Sequence, residues 1–246
     1  MNLIVLMAGP SDSFQNVSQK YPKPLIEING ETIIDRVVKN LTPLFDCSNS
    51  IVFIIRKTDN QKFYLKNVIN LLVPKALIVE TNGETAGAVC TALLAIGHLN
   101  DDQPLIITNG DQIIDTDYLD KLSIFKDSEA DAGVVIFKSV HPRWSYVKVG
   151  NNGNVTESAE KKPISNSATA GFYLYKKASM FVEYAKQMIM KDANLDGYFY
   201  ICPVFNEMIL EQKIIKTFTI QPQQYHSFMS PEMLIDYKDF LDRKEF

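Results

Sequence analysis

Cysteine is scarce in this 246-residue chain: Cys47, Cys90 and Cys202 are scattered and odd in number. They offer no disulfide framework and point to a reducing compartment. No apolar run approaches the roughly 20 residues a membrane-spanning helix needs. No basic stretch precedes the short apolar N-terminus, so it reads as a first strand rather than a leader. Positive charge is not in excess either. The formal net charge is −4, which leaves no electrostatic footprint for nucleic acid or an anionic membrane. The three histidines, His98, His141 and His226, show no metal-ligand spacing. No Ser-His-Asp or Cys-His grouping offers a catalytic nucleophile. Internal repeats, low-complexity tracts and linkers are absent too. What remains is a cytoplasmic enzyme or binding protein, 46% hydrophobic and 22% charged, with enough apolar residues for one large core. Nothing in the pattern fixes an oligomeric state.

Short β-rich runs alternate with helical patterns. Strands are expected at Leu3–Leu6, Ile51–Ile55, Ala76–Val79, Leu105–Thr108 and Ala132–Phe137. Between them, residues 31–45 place Ile33, Ile34, Val37, Val38, Leu41 and Phe45 near a 3.6-residue period, and residues 59–72 and 85–99 behave similarly. Such alternation implies βαβ units, a mainly parallel central sheet and a Rossmann-like α/β domain, with ligands beyond the carboxyl ends of the strands. After about residue 139 the rhythm changes. Residues 144–160 read as a hairpin around Asn151–Asn154. Residues 168–175 form another strand, and three helical stretches follow, the last with Ser230 as N-cap and Pro231 at its first position. The economical reading is one domain over residues 1–246. About 1–138 form one half, and about 139–246 form a smaller, hairpin-rich half.

Glycine is missing where a nucleotide site would most want it. In LIVLMAGPSDSFQ, residues 3–15, the first strand ends at Met7, Ala8 and Gly9, but Pro10, Ser11, Asp12 and Ser13 follow in place of a glycine-rich loop. Further on, Lys23 stands between two prolines. Their fixed φ angles present the ammonium from a stiff loop, as a polyphosphate site requires; a solvated lysine is the plain alternative. Asn109, Gly110 and Asp111 follow a strand. Asp111 could share a Mg²⁺ with substrate phosphates, or the tripeptide is turn chemistry. Gly87 sits in the first turn of a helix, either to admit a nucleotide or to pack tightly. Glu160, Lys161 and Lys162 could grip a phosphorylated ligand or be a solvated cluster. Gly171, inside a strand, marks close approach of a ligand or of backbone. In the stretch His141, Arg143 and Trp144, packing of Trp144 is expected, with Arg143 an outside candidate for an anion.

In order along the chain, these elements resemble the sugar-phosphate nucleotidyltransferases, or NDP-sugar pyrophosphorylases, of GT-A-like α/β fold. The landmarks are the Ala-Gly strand end, Pro-Lys-Pro-Leu, Thr-Ala-Gly, Asn-Gly-Asp, Glu-Lys-Lys-Pro and Gly-Phe-Tyr, and the similarity runs from Leu3 to about Leu241. Residues 137–177 and 197–207 are similar to a branch found in bacterial capsule and lipopolysaccharide gene sets. The resemblance implies transfer of a nucleoside monophosphate from a triphosphate to a phosphorylated sugar, polyol or similar small molecule, with release of pyrophosphate. Cytidine is slightly preferred, because the relatives nearest in pattern are associated with unusual acceptors. An acceptor phosphate oxygen is already an anion and needs no general base, so catalysis is positioning and charge stabilisation.

By the same resemblance, Lys23 neutralises triphosphate or pyrophosphate charge, and Asp111 binds Mg²⁺ (or Mn²⁺). Met7, Ala8, Gly9, Ser13, Gly87, Asn109 and Gly110 line the nucleotide. Glu160, Lys162 and Gly171 serve the acceptor. Two positions depart from the family. Ser13 stands where the loop usually carries an arginine, with Ser11 in place of a glycine; a bidentate phosphate contact is thereby lost. Ser227 stands where many members place a second metal aspartate. Two other readings stay open. One is a glycosyltransferase of the same fold, against which Asp111-Gln112-Ile113 counts because such enzymes commonly show Asp-x-Asp. The other is a binding relative that has lost catalysis.

Overall fold

The computed structural model describes residues 1–10, 14 and 21–244. In chain order the first half contains β1 (Asn2–Met7), β2 (Glu27–Ile28), β3 (Glu31–Thr32), α1 (Ile33–Asp46), β4 (Ser50–Arg56), α2 (Lys57–Phe63), α3 (Leu65–Leu72), β5 (Leu77–Thr81), α4 (Ala88–Leu93), β6 (Leu105–Asn109), β7 (Gln112–Ile114), α5 (Tyr118–Asp127) and β8 (Ala132–Lys138). The second half contains β9 (Tyr146–Val149), β10 (Val155–Ala159), β11 (Ser167–Tyr175), α6 (Ala178–Met190), α7 (Val204–Leu210), β12 (Ile215–Thr219), β13 (Tyr225–Ser227) and α8 (Pro231–Lys244).

A single nine-stranded sheet runs through both halves in the order β10-β9-β11-β6-β1-β4-β5, with β8 pairing β11 and β12 beyond the path. β6, β1, β4 and β5 are mutually parallel, and only β10 and β11 oppose the direction of the rest. The sheet is therefore mainly parallel, as the alternation of strand and helix patterns requires. Successive side chains of a strand face opposite sides, and the core divides accordingly. Leu3, Val5, Ile51, Phe53 and Ile106 pack with α1, α3 and α5 on one face. Ile4, Val52, Ile54, Leu105 and Ile107 pack with α4, α6 and α7 on the other. Both faces of the central strands are buried, so those strands read as continuous apolar runs rather than alternating ones.

Local chemistry accounts for the helix limits. α1 opens on a capping box: the Thr32 hydroxyl accepts from the Asp35 N–H, and the Asp35 carboxylate accepts from the Thr32 N–H. The stretch 59–72, one helix by periodicity, is two. Tyr64 adopts the left-handed region at φ 54°, and Asn60 holds the break, its carbonyl accepting from the Tyr64 N–H and its side chain from the Lys66 N–H at 3.0 Å. The stretch 85–99 is likewise shorter than its pattern, with a six-residue helix and a 3₁₀ turn at Ile96–His98. The hairpin β9–β10 forms where expected, with Gly153 at φ 75° in its turn. No helix among the described residues is long and apolar enough to cross a membrane.

Strand order fixes where a ligand can enter. From β1 the chain runs outward through β4 to β5, then returns to place β6 on the other side of β1. Connections that leave two neighbouring strands in opposite directions open a crevice at their carboxyl ends. Residues 8–10 after β1 and residues 110–111 after β6 stand at that crevice.

Candidate active site

A cleft of about 620 Å³ opens at this switch point, within the roughly 300–1,000 Å³ usual for small-molecule sites. Its floor is an ion pair. Lys23 lies in a 3₁₀ turn, Lys23–Leu25, between Pro22 and Pro24, and its Nζ donates to Asp111 Oδ2 at 2.5 Å. The lysine side chain is 9% exposed and the aspartate 21%, so the carboxylate keeps access to the cleft while the ammonium is largely enclosed. The Lys23 Nζ also lies 5.9 Å from the centre of the Phe14 ring.

Several of the glycines here are sites of close approach. Gly110 donates its N–H to the Leu6 carbonyl at 2.8 Å, and a Cβ on it would run into the Met7 side chain; this contact locks the loop after β6 against the end of β1. Gly171 sits at φ 59° where β11 slips register against β8. A side chain there would displace Asn109 and Gln112. The buried Gln112 binds the pieces together: its Nε2 donates to the Gly171 carbonyl at 3.1 Å and to Thr108 Oγ1 at 3.3 Å, and its Oε1 accepts from Asn109 and Tyr225. Gly87, at φ 98°, lines the cleft and packs as well. The Phe199 N–H donates to Ala86 and the Phe199 carbonyl accepts from Val89, so that a Cβ on Gly87 would meet the Phe199 carbonyl oxygen at 2.5 Å. Gly87→Ala is therefore expected to cost at least about 1–3 kcal/mol, the scale for forcing a side chain into a sparsely populated backbone region. A thermal melt checks this, and an unchanged midpoint would mean that the Phe199 strap yields freely.

The far wall comes from the second half of the chain. Glu160 accepts a short hydrogen bond from the Ser145 hydroxyl. Burial pushes its carboxyl above the ordinary range, opposed by that hydroxyl and by Lys161. Lys161 lies at φ 52° and rests on Tyr200, its Nζ 2.9 Å from the hydroxyl and 5.0 Å from the ring centre. Arg143 lies over Trp144 at 5.9 Å and bonds the His141 ring.

Met7, Ala8, Gly9, Lys23, Gly87, Asn109, Gly110, Asp111, Glu160 and Gly171, scattered over 165 positions of sequence, thus line one cleft. Lys162 does not. The left-handed turn at Lys161 presents that residue to the cleft and leaves Lys162 exposed outside it. Ser11, Asp12 and Ser13 lie outside the described residues. Ser227 is buried on β13, opposite Gln112 of the short strand β7, and does not line the cleft. His226 packs against Tyr237 and Phe240 of α8, where burial lowers its imidazole below the ordinary value. Arg56, Glu84, Thr85 and Tyr200 also line the cleft; Thr85 opens the Thr-Ala-Gly landmark and Tyr200 lies in the stretch 197–207 without being singled out, Arg56 and Glu84 carry no motif that marks them, and Gln112 has only its place beside Asp111.

The charge inventory of this cleft is close to balance, with Lys23, Arg56, Arg143 and Lys161 facing Glu84, Asp111 and Glu160. Among the described residues no three His, Cys, Asp or Glu side chains gather as a metal cage. One accessible carboxylate at the floor does suit a hard cation that takes its remaining ligands from substrate oxygens and water, and Asp111 is the residue that would hold it.

The chain resembles the bifunctional protein GlmU of Methanocaldococcus jannaschii, 28% identical over 182 residues; the match covers 72% of this chain but only 40% of that protein. Its fold matches the crystal structure of the nucleoside-diphosphate-sugar pyrophosphorylase from Vibrio cholerae RC9 at a TM-score of 0.83, with 21% identity over 96% of this chain and 99% of the other. It also matches the inositol-1-phosphate CTP transferase from T. maritima at 0.76, with 15% identity over 98% and 94%. The family model for nucleotidyl transferases matches residues 2–213, a span that holds every cleft residue named above except Tyr225, and the chain belongs to the nucleotidyl transferase family of enzymes.

Proposed function

We propose that this protein transfers a nucleoside monophosphate from a nucleoside triphosphate, cytidine preferred, to the phosphate of a small sugar or polyol and releases pyrophosphate. The activated product serves bacterial capsule or other surface polysaccharide synthesis in the cytoplasm. The observation that carries the reading is the Lys23–Asp111 pair at 2.5 Å, set where the carboxyl ends of β1 and β6 diverge. An oxygen of the acceptor phosphate attacks the α-phosphorus in line. One P–O bond forms, the bond to the β-phosphate oxygen breaks, and that oxygen leaves on pyrophosphate.

Lys23 turns from Asp111 to the departing pyrophosphate, whose new negative charge it neutralises. Asp111 would hold Mg²⁺ (or Mn²⁺), which would supply charge neutralisation and orientation at the reacting phosphates. A cleft so nearly balanced in its own charges cannot neutralise a triphosphate and an acceptor phosphate together, and this supports a divalent cation. Met7, Ala8, Gly9, Gly87, Asn109 and Gly110 bound the nucleotide, as Ser13 does in the sequence reading. Glu160 and Gly171 bound the acceptor, and Lys161 rather than Lys162 is the lysine that reaches it.

The test is to incubate the protein with each nucleoside triphosphate, Mg²⁺ and a panel of sugar and polyol phosphates, and to measure pyrophosphate. Release that depends on the acceptor is expected. Nucleoside diphosphate released from a nucleotide sugar would overturn the reading in favour of glycosyl transfer. Binding without turnover across the panel would leave a relative that has lost catalysis.

A further inference from the structure

The Lys23–Asp111 floor divides the cleft. Trp144, Glu160 and Lys161 line it from the β10-β9-β11 side of β6 and β1, and Arg56 and Glu84 from the β4-β5 side. Arg56 is the last residue of β4 and pairs in register with Thr81, the last residue of β5. Glu84 follows three residues later, in a loop where Gly83 stands at φ 92°. Two neighbouring parallel strands therefore deliver a guanidinium and a carboxylate to the same wall. Arg56 bears electrostatically on Asp59, yet among the described residues neither the Arg56 nor the Glu84 side chain has a hydrogen bond or an ion pair, and the two are not paired with each other. Opposite charges left apart on the wall of a cleft match a ligand edge that offers an acceptor to one and a donor to the other.

We propose that Arg56 and Glu84 read the base of the triphosphate and select one bearing an exocyclic amino group, which among pyrimidines is cytosine. This rests on the nucleotidyl-transfer reading, which puts the nucleoside on the side of the floor away from the acceptor. Cytosine offers its N4 amino group as donor to the Glu84 carboxylate, and its O2 and N3 as acceptors to the Arg56 guanidinium. Uracil and thymine carry a carbonyl oxygen at the position of that amino group. Its lone pairs would face the carboxylate, leaving Glu84 unpaired and repelled.

Equilibrium binding of CTP and of UTP, each with Mg²⁺, tests the assignment without knowledge of the acceptor. The wild-type protein binds CTP more tightly by roughly tenfold to a hundredfold, the scale of one well-formed hydrogen-bonded contact to a base edge. Glu84→Gln, whose amide both donates and accepts, brings the ratio toward unity mainly by improving UTP. Arg56→Met weakens both nucleotides. Equal affinity of the wild-type protein for CTP and UTP, or a ratio that Glu84→Gln leaves unchanged, overturns the assignment while nucleotidyl transfer stands. Selective binding without pyrophosphate release on the acceptor panel leaves the base reading in place and removes the transfer reading. Failure of any nucleotide to bind removes both.

Discussion

Asp111→Asn is expected to remove most turnover, a loss of roughly 10²–10³-fold, the scale for deleting one element of transition-state charge stabilisation. In the proposed reaction the carboxylate would hold the divalent cation, and an amide of the same shape would bring no charge to it. The fold is expected to survive. The Asn oxygen still accepts from the Lys23 ammonium, so this largely enclosed cation keeps a partner. The Asp111 carbonyl, which accepts from the Phe228 N–H at 2.8 Å, is untouched by the change. Pyrophosphate release and a thermal melt measured on the same preparation separate the two effects. A wild-type rate in this variant would take Asp111 out of the reaction.

Lys23→Met should produce a loss of similar size, chiefly in kcat. Charge on the bridging oxygen grows as pyrophosphate departs, so the ammonium is worth more in the transition state than in the bound triphosphate. Methionine is unbranched and fills nearly the same volume within the turn between Pro22 and Pro24, and Asp111 remains open to cleft water, so the melting midpoint should move little. Lys23 and Asp111 act as a unit, and the double variant is expected to lose little beyond either single change. An increase in the KM for triphosphate at unchanged kcat would show instead that Lys23 contributes uniform binding and plays no part in the departure of pyrophosphate.

Much of the floor of this site was legible because it is local. A strand that ends in Ala8-Gly9, a lysine between two prolines, and a carboxylate just after β6 are each written in a few consecutive residues. The resemblance supplied their order. The walls were harder to read. Lys161 rather than Lys162 faces the cleft because one residue adopts φ 52°, a choice that no pattern in Glu-Lys-Lys-Pro announces. Gly171 marks a close approach in the sequence, but the groups that approach it, Asn109 at the end of β6 and Gln112 at the start of β7, are remote from it along the chain. Arg56 is an ordinary charged residue at a strand end until β4 and β5 pair and put Glu84 beside the same wall.

The alternation of strands and helices, the apolar face of α1 and the placing of Lys23 between two prolines were legible in short stretches, because they follow from side-chain period and proline φ over a few residues. Long-range packing alone brings Lys23 to Asp111 across 88 residues of chain, buries Ser227 on β13 away from the cleft, and sets the Arg56 guanidinium and the Glu84 carboxylate in one cleft. Those placements depend on strand order and register. They are set by the summed packing of the whole sheet against its helices, and no short stretch of residues contains that sum.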